Sequence, residues 1–62
     1  MKELDVVKLK CDFKGLPAET IGTIVLEYDG TDFEVEFFDN ERDTIDVLAT
    51  PVEKIELVTA YK

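Results

Sequence analysis

The chain has 62 residues, enough for one domain, and a domain that short buries only about 60% of the surface its unfolded form exposes, which excludes a deep cleft and leaves a thin stability margin. Its single cysteine and lack of histidine exclude an internal disulfide and a Cys/His zinc site, so the fold rests on an apolar core or on a partner. The net charge is −8, all of it central: Glu27 to Asp46 holds nine acids against Arg42 alone, while six acids and six lysines balance elsewhere. That field repels nucleic-acid backbones and anionic membrane surfaces and favours encounter with basic partners.

In chain order, the charged start Met1 to Asp5 predicts no secretory leader and hence a cytoplasmic protein. Leu4 to Leu9 reads as a first strand, with Val7 and Leu9 facing one way. A long loop from Lys10 to Ile21 follows. Cys11 in that loop reads as a core or half-buried thiol, since the chain offers it no histidine as a base. Gly22 to Tyr28 is a β-prone stretch whose alternation places Ile24, Leu26 and Tyr28 inward and Thr23, Val25 and Glu27 outward. Asp29-Gly30-Thr31-Asp32 is a hairpin turn. The return strand from Phe33 to Phe37 alternates without a fault, with Phe33, Val35 and Phe37 inward and Glu34 and Glu36 outward.

After the polar turn Asp39 to Asp43, Thr44 to Leu48 predicts a fourth strand with Ile45 and Val47 inward. Thr50-Pro51-Val52-Glu53 has the residues of a capping box, with room for one 3₁₀ turn. Ile55 and Leu57 make a short fifth strand, and Thr59 to Lys62 form a tail. The expected core is Val7, Leu9, Ile24, Leu26, Val35, Phe37, Ile45, Val47, Ile55 and Leu57. Residues 1–62 thus predict one all-β domain, a small five-stranded SH3-like barrel with one 3₁₀ turn before the last strand; the alternative is an open five-stranded meander.

Pairing the predicted strands puts Glu27 opposite Glu34, Glu36 opposite Asp46, Phe37 opposite Ile45 and Val35 opposite Val47. Glu27, Glu34, Glu36 and Asp46 then share an outer face with Phe38 and Leu48 among them. Like charges across a ladder are destabilising. The pattern is read as a docking surface for a basic protein, with Phe38 or Leu48 as anchors; the bland alternative is a solvated exterior kept soluble by acids. Carboxylates on flat strands rarely converge on one ion, so no metal or other cofactor is expected. Neither a pocket nor an electrophilic group accompanies the acids, so no enzyme activity is expected.

The segments Leu4-Asp5-Val6-Val7-Lys8-Leu9, Ile21-Gly22-Thr23-Ile24-Val25-Leu26-Glu27-Tyr28-Asp29 and Phe33-Glu34-Val35-Glu36-Phe37, with a closing Ile55-Glu56-Leu57, carry a resemblance. The chain resembles a family of very short bacterial and cyanobacterial proteins of unknown function. Its pattern is an opening Leu-Asp-Val-Val, a central Gly-Thr-Ile-Val followed by a tyrosine, and then Tyr-Glu-Val-Glu-Phe, where this chain has Phe33 in place of that last tyrosine. The resemblance implies a stand-alone SH3-like domain, often encoded beside a small toxin-like protein, and hence an antitoxin-like or immunity-like inhibitor of a basic partner. The first loop is shorter here than in many members. The competing expectation is a structural accessory subunit of a larger enzyme or electron-transfer assembly.

Overall fold

The computed structural model describes residues 1–60. Five strands follow one another: β1 (Val6–Leu9), β2 (Ile21–Glu27), β3 (Asp32–Phe38), β4 (Thr44–Pro51) and β5 (Ile55–Thr59), with a 3₁₀ turn at Val52–Lys54 between the last two. They form one antiparallel sheet in the order β4-β3-β2-β1-β5. The sheet is open, with β4 and β5 as its edges, so the closed barrel expected from the sequence is corrected to an open sheet. Of the expected tail, Thr59 belongs to β5, Ala60 follows it without regular structure, and residues 61 and 62 lie outside the described residues.

One side of the sheet carries the core. Val7, Leu9, Leu16, Ile24, Phe33, Val35, Phe37 and Ile55 are buried, with Phe13, Leu48 and Val52 packed against them. β1 and β3 contribute through alternate residues, as a period of two requires, and β5 through Ile55 alone. Gly22 lies in this layer because nothing larger fits. A Cβ there would stand 2.5 Å from Val35 Cγ1 and 2.9 Å from Phe37 Cδ1, so the bare backbone lets both side chains close over it.

Four expected core residues are not buried. Leu26, Ile45, Val47 and Leu57 are exposed, as is Tyr28. For Leu26, Ile45 and Val47 the cause is a set of register shifts. Between Ile24 and Leu26 the β2–β3 pairing slips by one residue, so Leu26 pairs with Glu34 and Glu27 with Phe33. A second shift at the start of β4 pairs Phe37 with Asp46, Val35 with Leu48 and Phe33 with Thr50. One inserted residue moves every later side chain to the opposite face. In β5 the shift against Val6 and Val7 leaves Val58 unpaired, and Leu57, opposite Val7, is exposed at the sheet edge.

Two further expectations are corrected. Thr50 caps no helix: it is fully buried inside β4, its hydroxyl donating to the Leu48 carbonyl at 3.1 Å, and Pro51 takes the N-cap position without a side-chain bond. Cys11 is exposed rather than packed. The long loop is also ordered by its own short ladder: Phe13 and Leu16 exchange both backbone bonds at 2.8 and 2.9 Å around Lys14 and Gly15, each with positive φ. This miniature hairpin inserts Leu16 into the core.

Candidate functional site

The side of the sheet away from the core follows from the register. Across one row Glu56 pairs with Lys8, Lys8 with Ile21, Ile21 with Phe38 and Phe38 with Thr44. The next row runs Thr59, Val6, Thr23, Glu36, Val47, and a third Leu26, Glu34, Ala49. Thr23 and Val47 therefore flank Glu36, and Leu26 and Ala49 flank Glu34. Thr44 Oγ1 donates to Glu36 Oε2 at 2.6 Å, which fixes that carboxylate in place. Tyr28 stands beside Glu34; loss of water around the phenol, then its hydrogen bond to Glu34 and the charge of that carboxylate, raise its pKa above the ordinary 10.0.

A shallow groove of about 590 Å³ crosses this face, lined by Val6, Ile21, Thr23, Phe38, Asp39, Asn40 and Arg42. A second hollow of about 390 Å³ shares Ile21, Phe38, Asp39 and Asn40 and reaches Ile45 and the loop at Pro17–Thr20. The paired Ile21 and Phe38 thus separate two depressions with an apolar floor and a polar rim. Asp39 shapes that rim, its Oδ1 accepting the amides of Glu41 at 2.8 Å and Asp43 at 3.0 Å. The resulting turn holds Arg42 at φ 66. Lys8 Nζ lies 3.2 Å from Glu19 Oε1 and ties the loop to the face.

Of the six residues expected to form the docking face, Glu34, Glu36 and Phe38 lie there together. Glu27, Asp46 and Leu48 do not. Glu27 is opposite the buried Phe33, Asp46 opposite the buried Phe37, and Leu48, opposite Val35, packs against the core. The expected confrontations of Glu27 with Glu34 and of Glu36 with Asp46 are therefore absent. Reasoning from sequence missed Val6, Ile21, Leu26 and Val47 on this face. The parity of Gly22 and Ile24 would have found Ile21, whereas Leu26 and Val47 depend on the shifts. Among the described residues no three acids or cysteines come together as a metal site, and no helix is long and apolar enough to cross a membrane.

A family model for a domain of unknown function (DUF4926) matches residues 3–57. The chain belongs to the DUF4926 family. The matched stretch contains all of β1 to β4, the 3₁₀ turn and the first part of β5, so every residue of the outer face except Thr59 lies inside the DUF4926 domain. Comparison with curated proteins and with solved structures finds no match.

Proposed function

We propose that this DUF4926 domain is a protein-binding module that docks a basic partner on the outer face of its sheet, in the manner of an antitoxin or immunity protein. One observation supports the reading above the others. Apolar side chains, exposed at Ile21, Leu26 and Val47 and half-buried at Val6 and Phe38, share a face with Glu34, Glu36 and Asp39, the composition of an interface with apolar anchors and a charged surround. The strand order and the 3₁₀ turn between β4 and β5 support an SH3-like arrangement, and a cytoplasmic, non-catalytic role belongs to the same reading. With an acidic middle third, the favoured partner is a cationic protein, not a nucleic acid or a membrane. A constitutive accessory subunit is the second reading, favoured by the exposed Leu57 and Val58 on the opposite edge.

The test begins with the partner recovered from the native cell and measured against purified variants. The double change Glu34→Gln, Glu36→Gln is expected to slow association and flatten its salt dependence, with dissociation less affected. Ile21→Ser is expected to speed dissociation. Binding that survives all three changes but is lost on substitution in the loop from Lys10 to Thr20 would move the site to that loop. A partner that can be separated only by denaturation would favour the accessory-subunit reading.

A further inference from the structure

Strand β4 is an edge eight residues long, and its hydrogen-bond phase can be read directly. Val52 N–H donates to the Thr31 carbonyl at 2.7 Å, one step beyond the Asp32–Pro51 pair. Alternation along an antiparallel ladder then turns the backbone groups of Thr50, Leu48 and Asp46 toward β3, and those of Pro51, Ala49 and Val47 away from it. Pro51 has no N–H to offer. The Val47 N–H is held by the carboxylate of the preceding residue, Asp46 Oδ1, at 2.8 Å. Among the described residues no strand lies on that side of Ala49.

Exposed edges of this kind are normally blunted by lysine, by brevity or by cover. Here β4 carries no lysine, is the longest strand, and exposes Ile45 and Val47 at 46% and 45%. Its blunting devices are Pro51 at one end and a carboxylate in the middle. The second of these is reversible, because a cation that pairs with Asp46 frees the Val47 amide for another acceptor.

We infer that the partner contributes an extended cationic segment that adds to β4 as a sixth strand, its carbonyls taking the amides of Val47 and Ala49 and its own amides donating to the carbonyls of those two residues. This rests on the proposed docking role and names its mode. Period two then sets the segment's pattern. Side chains on the outer face meet Val47 and Ala49 and are apolar; those on the other face meet Asp46 and are basic. A second copy of this chain is disfavoured as occupant, since each copy brings a net charge of −8 concentrated in this region.

The probe is a blocked eight-residue peptide of alternating lysine and valine, beside the same peptide N-methylated at every backbone nitrogen, which keeps the charge and removes the strand donors. Titration followed by amide NMR is expected to shift Val47 and Ala49 and slow their hydrogen exchange, with the methylated peptide binding at least about tenfold more weakly through lost hydrogen bonds. Val47→Lys, a change at an exposed position, is expected to weaken the first peptide while leaving the melting curve in place. Equal binding of both peptides would overturn strand addition and leave charge-driven docking standing. Shifts confined to Ile21 and Thr23 would place the contact in the groove, and failure of both peptides or self-association through β4 would overturn the inference. The Glu34, Glu36 variants measured on the native partner judge the docking reading separately.

Discussion

Gly22 and Arg42 show how much one residue decides in a domain this small. Gly22 is required by geometry: the 2.5 and 2.9 Å approaches of Val35 and Phe37 to its missing Cβ leave no room for a methyl group. Gly22→Ala is expected to cost about 1–3 kcal/mol through overpacking, read as a lower urea midpoint with unchanged slope; an unchanged midpoint would show that β2 shifts freely. Truncation in the same layer, Phe37→Ala, is expected to cost about 3–5 kcal/mol and leave little folded protein. Arg42 has the opposite sign. At φ 66 it occupies a backbone region that suits glycine, and it is exposed. Arg42→Gly is expected to raise stability by about 0.5–1 kcal/mol in the same assay, with the turn's Asp39 bonds kept.

At the scale of elements, the β2–β3 turn depends on one carboxylate. Asp29 Oδ1 accepts the Thr31 hydroxyl at 2.7 Å and the amides of Thr31 at 3.1 Å and Asp32 at 3.3 Å. These bonds, the Thr31 hydroxyl first, lower its pKa below the ordinary 3.8. A carboxyl whose folded pKa lies below its unfolded value contributes stability above pH 3.8, and the contribution fades as pH falls from there through the folded value. Asp29→Asn keeps the acceptor oxygen and removes the titration. Its acid melting curve is expected to run flatter below pH 4 than that of the parent, measured by circular dichroism.

The same element shows what the sequence made legible. Existence and order of all five strands and the 3₁₀ turn follow from alternation and turn residues, and Phe33, Val35 and Phe37 point inward as their spacing requires. Register did not follow, because a single inserted residue leaves no mark in composition. In β4 the pattern Ile45-Asp46-Val47 reads as apolar-in, yet Leu48 and Thr50 face the core and Val47 faces water. There the apolar parity that local pattern prefers is turned outward, onto the face proposed for docking. Of the candidate site, the β3 residues were legible because their alternation carries no shift; Asp46 and Leu48 were misplaced for the converse reason.

For the whole molecule, the charge distribution gives a prediction independent of any partner. Fifteen acids against seven basic residues repel one another in the free state, and the structure shows one ion pair among its described residues, the exposed Lys8–Glu19. Added sodium chloride between low and physiological strength is expected to raise the melting temperature by screening that repulsion. A falling melting temperature would mean that attractive pairs dominate instead.

The placement of β1 between β2 and β5 bears on the order in which the molecule comes together. Strands β2, β3 and β4 meet through short turns, whereas β1 reaches β5 only after almost the whole chain has been gathered, so the closure entropy of that pairing is the largest in the fold. The meander is therefore expected to form the folding nucleus, with the β1–β5 ribbon closing afterwards. Ile55→Val is therefore expected to accelerate unfolding with little change in the refolding rate, while Val35→Ala slows refolding; stopped-flow chevrons that show the reverse would place the nucleus in the ribbon. Such an order also means that transient opening releases the terminal ribbon first, and the β3–β4 hairpin with its free edge outlasts it.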